Sequence, residues 1–475
     1  MSDDPPAQPP QPPAGRGTAE TGPGTEAGPA AGTTDRRSPV PAAPATGGAA
    51  TGGAEAAAGQ RPPFGRMLID AIVEGNSVVV TVLAIVAAIV VGGLLIAFTD
   101  PVVLSAWGRF FSDPGNAIAQ AWDTAFSAYA AMFEGSIVNP HTVAAIFQQK
   151  SLGVAFSDGA ISAVLNPISE TLVNATPLIF AGLSVALAFR AGLFNIGAES
   201  QFIGGAIIAT WLGFGVSLPP VIHVVVCVLG AFVGGAVLGW LVGFLKAATG
   251  AHEVIVTIML NYVMIYLLSW LLSTKAMQRP GRNDLISPFI ASNAQLPHIA
   301  GASLRINVSF LVALAAAAAV WWLLSRSTLG FEFRTVGANP RAARSAGMSV
   351  ERTWIVVMLI AGGLAGLAAS AVIQGTDYTL NFQSYGTFGI DAITVALLGR
   401  ARPLGTVLAA LLFGALDAGG TAMQGVTQIP ADIVSVIQAL IVLFIAAPPL
   451  VRAMFRLREA RAPGEGQVLA KGWNG

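Results

Sequence analysis

A few amide and carboxylate side chains interrupt the apolar runs of this 475-residue chain. The set comprises Asn174, Asn195, Glu199, Gln201, Glu253, Asn261, Asp391, Asp417 and Asp432. A polar group within a membrane span is costly and marks either an interhelical hydrogen bond or a functional site. Asn174 and Asn261 lie deeper in the predicted spans, and two interpretations stand for them: an interhelical hydrogen bond or contact with an uncharged, hydroxyl-rich solute. Glu199, Glu253 and Asp391 lie near span ends, where we interpret them as water-exposed interface carboxylates.

Residue patterns for covalent, metal or nucleotide chemistry are missing from the sequence. It holds no G-x-x-x-x-G-K-[ST] phosphate loop, and His252-Glu253 does not continue into H-E-x-x-H because position 256 is Val. The four histidines have no ligand spacing, and Cys227 is the single cysteine. The sequence predicts a protein that is not an enzyme and has no cofactor or metal site.

Composition places the chain in a membrane. Hydrophobic residues make up 54% and charged residues 11% of the sequence, against about 25% charged in a soluble domain. We predict an all-α membrane protein, a polytopic helical bundle of about ten transmembrane helices. The predicted spans are 77–98, 171–189, 199–216, 220–245, 254–273, 307–324, 354–374, 387–399, 404–419 and 430–447. The 387–399 segment is short, which leaves open a full span or a re-entrant element.

The basic residues set the predicted orientation. With both termini cytoplasmic and the spans alternating, 19 of the 25 Lys and Arg residues fall inside, as the positive-inside rule requires. The loop 274–306 is the exception, with four basic residues outside. The net charge of zero gives no indication of nucleic-acid binding.

Three predicted regions divide the chain. Residues 1–63 hold 13 of the 29 prolines and form a Pro/Gly/Ala-rich cytoplasmic tail that we expect to be disordered. Residues 64–462 form the transmembrane domain, in which 99–169 contains amphipathic pieces suited to the bundle's outer surface. Residues 463–475 form a cytoplasmic C-terminal tail.

The cytoplasmic loop 326–352 carries its own helix signals. Asn339 is a candidate N-cap, followed by Pro340 at the first helical position. Gly347 can end the helix in the left-handed conformation, and Ser349 can cap the following span. The helix would present a small face at Ala342, Ala343 and Ala346, with Arg341 and Arg344 on one side. We interpret it as a docking peg for another protein or as an ordinary positive loop.

The longer motifs resemble the membrane permeases of ABC importers for simple sugars, nucleosides and branched-chain amino acids. They are GLFNIGAESQFIGGA (192–206), GAHEVIVTIMLNYV (250–263), GFEFR (330–334), TVGANPRAARSAGMSVER (335–352), the run 389–424 and IQALIVLFIAAPPLVR (437–452). Together they cover nearly all of 170–452, and the first two look most like the nucleoside branch. Ser200 stands where the family commonly has Gly.

This resemblance implies one half of a translocation pathway in a bacterial cell membrane. It also implies a second permease subunit, often a different chain, cytoplasmic ATPase subunits and an extracytoplasmic substrate-binding protein. The ATPase-coupling loop would comprise Gly337, Asn339, Pro340, Arg341, Ala342, Ala343, Arg344 and Gly347. Asn174, Asn195, Gln201 and Asn261 are the candidate pathway residues.

Nucleosides are the favoured solute, with ribose-like sugars or branched-chain amino acids as alternatives. A secondary transporter is the more distant alternative. It would need intramembrane charge pairs for ion coupling, and it commonly shows internal repeats. The sequence shows neither feature clearly.

Overall fold

The computed structural model describes residues 77–148, 158–301, 303–382 and 388–455. Over these residues the chain is helical, and its β-structure is confined to two isolated bridges. The all-α prediction is therefore confirmed for the described part, whereas the predicted tails 1–63 and 463–475 lie outside it. The helices are α1 (Ser77–Thr99), α2 (Pro101–Trp107), α3 (Pro114–Ser136), α4 (Pro140–Gln148), α5 (Asp158–Arg190), α6 (Ala198–Gly215), α7 (Pro220–Thr249), α8 (Glu253–Ser273), α9 (Ser309–Arg326), α10 (Thr328–Ala338), α11 (Pro340–Ser345), α12 (Val350–Val372), α13 (Phe388–Leu398), α14 (Pro403–Thr427), α15 (Asp432–Ala446) and α16 (Pro448–Met454).

Every predicted span coincides with one of these helices. Among the described residues, seven helices are long and apolar enough to cross a bilayer, namely α1, α5, α7, α8, α9, α12 and α14. The chain is thus a polytopic membrane protein. Helix α13 has 11 residues and is about 16 Å long at 1.5 Å per residue, roughly half the hydrocarbon thickness.

Glycines set the spacing of the central helices α7 and α12. A Cβ on Gly235 would lie 2.1 Å from the Gly362 carbonyl oxygen, and one on Gly366 would lie 2.1 Å from the Ala231 carbonyl oxygen. No side chain fits between these backbones, so the two helices touch through bare glycine surfaces. These glycine contacts lie inside the chain and pack the bundle tightly.

Helix α3 packs across the bundle surface as its amphipathic pattern predicts. Ala128, Ala131 and Met132 are buried in a cluster with Ile96 and Met423. The opposite side exposes four large apolar residues, Ile118, Trp122, Phe126 and Phe133. This arrangement fixes α3 against the ends of α1 and α14 and turns its aromatic side outward.

The segment 331–352 is more helical than its interpretation as a loop predicted. Its first part, up to Ala338, belongs to α10, which begins at the Ser327 cap. The Ser327 hydroxyl accepts a hydrogen bond from the Gly330 N–H at 2.9 Å. Two consecutive short helices, α10 and α11, therefore connect the flanking spans α9 and α12.

Candidate functional site

Helix α11 forms a compact unit that is capped at both ends, as the sequence predicted. The Asn339 Oδ1 accepts hydrogen bonds from the N–H groups of Arg341 and Ala342 at 3.0 and 3.1 Å. At the other end Gly347 has φ +82°, and the Met348 N–H donates back to the Ala343 carbonyl at 3.0 Å. This is a Schellman ending, which satisfies carbonyl groups that a six-residue helix would otherwise leave open.

The structure agrees only in part with the prediction that three alanines form one small outward face of α11. Ala343 is fully buried in a cluster with Val336 and Val350, whereas Ala342 and Ala346 are exposed. Ala343 therefore anchors α11 to its own chain and is not available to a partner. The outward side carries Arg341 and Arg344, and Arg344 forms an ion pair with Glu351.

Helix α10 is seated directly on the end of α5. A Cβ on Gly337 would lie 2.4 Å from the Arg190 carbonyl oxygen, and a Cβ on Gly192 would lie 3.1 Å from the Gly337 Cα. Gly192 has φ +71°, in the left-handed region that glycine tolerates best. This contact connects the α10–α11 unit to a membrane-spanning helix.

The Arg190 side chain extends the same contact to a third element. Its Nε donates to the Ala401 carbonyl oxygen at 2.8 Å, in the tight turn between α13 and α14. Arg400 and Ala401 in this turn have φ +54° and +49°, an unfavourable conformation for side chains with a Cβ. The arginine therefore bridges α5 to a turn whose backbone must be held in place.

Three of the four candidate pathway amides are engaged in tertiary bonds. Asn195 and Gln201 are fully buried and donate to each other's carbonyl oxygens at 2.8 and 3.1 Å. Asn261 accepts from the Ser200 N–H at 3.0 Å and donates to the Ile196 carbonyl at 3.0 Å. These bonds fix the turn between α5 and α6, and those of Asn261 also connect α8 to this turn and to α6.

Asn174 lies apart from the other three, on a polar cavity of about 380 Å³. Five helices, the segment that follows α12 and the loop before α9 surround this cavity. Its lining comprises Val173, Asn174, Pro177, Arg305, Ala371, Val372, Thr376, Asp377, Phe388, Asp391, Asp417, Ser435 and Gln438. A cavity of this size falls in the range of small-molecule sites, so the structure offers one candidate pathway position from the predicted set.

Other polar residues of the cavity lining, among them Asp417 and Gln438, were not predicted as pathway residues from the sequence. The Gln438 Nε2 donates to the Asp417 Oδ1 at 2.7 Å, joining α14 to α15. Asp391, interpreted above as an interface carboxylate, lines the cavity with them. The sequence did mark Asp417 as a carboxylate within an apolar helix. It could not show the pairing, because Gln438 lies on a different helix.

Glu253 is a second carboxylate whose environment differs from the predicted water-exposed interface. Glu253 is only 7% exposed and binds the Lys246 Nζ at 2.6 Å. The same ammonium lies 4.8 Å from the centre of the Trp354 ring, which supports it further. Glu253 is therefore part of a buried ion pair between α7 and α8 and not a free interface carboxylate.

Three of the four basic residues of the loop 274–306 have partners in the structure. Arg282 pairs with Asp284 at 2.7 Å, and this hydrogen bond lowers the pKa of the Asp284 carboxyl. Arg305 pairs with Glu170 of α5 at 2.9 Å, and Arg279 lies 4.0 Å from the centre of the Phe289 ring. Two of the four basic residues are therefore compensated by carboxylates and a third is supported by an aromatic ring, but the count of basic residues in this loop still departs from the charge rule.

Comparison with known proteins gives consistent matches. The family described as branched-chain amino acid transport system / permease component matches residues 168–446. The guanosine ABC transporter permease protein NupP of Bacillus subtilis is 39% identical over 60% of this chain and 82% of the relative. The nucleoside permease NupB of Lactococcus lactis is 36% identical over 60% and 81%.

A sugar permease is similarly related. The glucose ABC transporter permease protein TsgB13 of Haloferax volcanii is 37% identical over 58% of this chain and 75% of the relative. No solved structure matches. The matched span contains both the cavity and the α10–α11 unit.

Proposed function

Because this chain belongs to the branched-chain amino acid transport system / permease component family, we propose that it forms half of the pathway of an ABC importer for nucleosides. The chain is a multi-pass permease of the cell membrane. The observation that carries the solute proposal is the similarity to the guanosine and nucleoside permeases along most of their lengths. A glucose-type sugar is the second candidate, because TsgB13 is related to nearly the same degree.

The proposed topology has ten spans with both termini in the cytoplasm. It adds α6, α13 and α15 to the seven long apolar helices. The charge distribution supports it, since 19 of 25 basic residues then lie inside. In this orientation α11 lies at the cytoplasmic surface and the loop 274–306 faces outward.

The proposed role of α11 is coupling to a separate ATPase subunit. Gly337, Asn339, Pro340 and Gly347 define the position and ends of the helix, and the exposed Arg341 and Arg344 lie outward. A helix that is capped at both ends and packed onto its own chain through Ala343 can transmit force, because a displacement of its exposed side moves the whole unit. A second permease subunit and an extracytoplasmic binding protein complete the proposed assembly.

The proposed mechanism is alternating access. Closure of the ATPase pair would move the α11 helices of the two permease subunits and shift the bundle between outward-facing and inward-facing arrangements. The solute moves because its affinity differs between these arrangements. This chain supplies half of the pathway and the helix that contacts the ATPase, and ATP hydrolysis takes place on the ATPase subunits.

Uptake of radiolabelled guanosine, uridine and adenosine tests the solute proposal. A strain lacking this gene is compared with the complemented strain, with excess ribose, glucose or leucine as competitor. We expect nucleoside uptake to be lost on deletion and to be unaffected by the three competitors. If deletion abolishes glucose uptake and leaves nucleoside uptake normal, the transported solute is a sugar and the nucleoside proposal is wrong.

Deletion of residues 338–346 tests the coupling role. We expect uptake to disappear while the protein remains inserted at its normal level in the membrane fraction. Uptake that survives this deletion would contradict the coupling proposal, whichever solute is carried.

A further inference from the structure

The cavity has a chemistry that favours one kind of ligand. It combines the carboxylates of Asp377, Asp391 and Asp417 with a single cation, Arg305. The three carboxylates outnumber the cation, so the lining is rich in hydrogen-bond acceptors and its formal charge is negative. Such a surface suits a neutral solute that carries several hydroxyl donors and repels a phosphate group.

The best-defined acceptor is Asp417. Gln438 is only 7% exposed and donates to one carboxylate oxygen of Asp417 at 2.7 Å. This bond orients the carboxylate, because the amide fixes one oxygen from the neighbouring helix. Asn174 lines the cavity from α5 and offers both a donor and an acceptor.

An aromatic surface lies within the same cavity. Phe388 is part of the lining, and its ring stacks on that of the buried Phe202 with 5.1 Å between centroids. The stacking braces the first turn of α13, which also carries Asp391. The cavity thus offers acceptors for a sugar and an apolar surface for a planar ring.

We propose that this cavity binds the ribose of the transported nucleoside, with Asp417 accepting hydrogen bonds from the sugar hydroxyls. Gln438 is a positioning residue that orients the carboxylate, and Asn174 is a second polar contact. The inference rests on the proposed nucleoside import and assigns residues that determine specificity within the permease itself. It makes the permease discriminate against solutes that lack sugar hydroxyls.

The test compares uptake of guanosine and 2′,3′-dideoxyguanosine in cells that express the complete importer. Asp417→Asn keeps the side-chain shape and an oxygen for Gln438 but removes the negative charge. The matched control is Asp432→Asn, at the exposed start of α15 and outside the cavity lining. The binding protein is the same in every strain, so its own preference cancels when uptake ratios are compared.

We expect Asp417→Asn to lower the guanosine-to-dideoxyguanosine uptake ratio about tenfold, the size of one lost charge-assisted hydrogen bond. The Asp432→Asn ratio should equal that of the wild type. An unchanged ratio in Asp417→Asn, or an equal loss of both solutes at normal membrane abundance, would overturn the inference. Should Asp417→Asn fail to insert, Asn174→Leu applies the same ratio test from the other side of the cavity.

The outcomes separate this inference from the proposed function. If the wild type takes up neither nucleoside, the nucleoside proposal itself fails. If wild-type uptake is normal and both variants keep the wild-type ratio, nucleoside import stands and the cavity assignment fails.

Discussion

Replacing Gly337 by alanine should disrupt the seating of the α10–α11 unit on the end of α5. The added Cβ would lie 2.4 Å from the Arg190 carbonyl oxygen and 2.9 Å from the Ala191 carbonyl carbon. Ordinary contacts of a Cβ begin near 3.4 Å, so the backbones must separate by about 1 Å. Since both contacts are backbone atoms, no side-chain rotation can relieve them.

Whether Gly337→Ala stabilises or destabilises the protein distinguishes a close backbone contact from a change in helix propensity alone. In an open helical position alanine stabilises relative to glycine by about 0.5 to 1 kcal/mol. Overpacking against fixed neighbours costs about 1 to 3 kcal/mol. Gly337→Ala should therefore be destabilising by about 1 to 2 kcal/mol overall, despite the better helix propensity.

Gly425→Ala is the matched control, because Gly425 also lies near the C-terminal end of a helix and a Cβ there meets nothing within 4 Å. The assay is thermal unfolding of the detergent-purified proteins at one scan rate, together with uptake in cells. We expect Gly337→Ala to unfold at a lower temperature than the wild type and to lose uptake, with Gly425→Ala at or above the wild type in both. Equal behaviour of the two variants would refute the close approach of α10 to α5.

Three further changes have defined expectations. Asn339→Ala removes both cap bonds of α11, costs about 1 kcal/mol, and should reduce uptake at unchanged membrane abundance, measured by immunoblot. Arg190→Gln loses the bond to the Ala401 carbonyl, so unfolding temperature and uptake should both fall, whereas Arg190→Lys should restore at most part of either. Glu253→Ala leaves the buried Lys246 ammonium without its partner and should cost about 3 to 5 kcal/mol. The double change of Lys246 and Glu253 to Leu should recover much of that loss in the same unfolding assay, and no recovery would argue against the pair.

The sequence was most informative where its signals are local. Asn339 followed by Pro340, and Gly347 followed by Ser349, predicted the ends of α11 and the start of α12 correctly, because a cap bonds to backbone within a few residues. The positions of the spans were also predictable, since hydropathy is a property of a continuous stretch.

Pairings between distant residues could not be predicted in the same way. Asp417 bonds to Gln438 on the next helix and lines the same cavity as Asn174 of α5. The sequence around each of these residues gives no signal of the others. Glu253 lies near a span end, where exposure was the simplest expectation, yet the last turn of α7 brings Lys246 to it. Only the packing of whole helices creates these contacts.

Helix α5 lines the cavity and contacts α10, which connects the cavity physically to the α10–α11 unit. Helix α5 carries Asn174 at the cavity and ends at Arg190, where it supports Gly337 and binds the turn at Ala401. That turn joins α13 to α14, the helices of Asp391 and Asp417. Close-packed elements transmit small displacements because they leave no voids to absorb them. A change at Gly337 should therefore reduce the transport rate of every solute by the same factor. A change at Asp417 should instead alter the relative rates of different solutes. Comparing the two variants thus distinguishes residues needed for coupling to the ATPase from residues that determine selectivity.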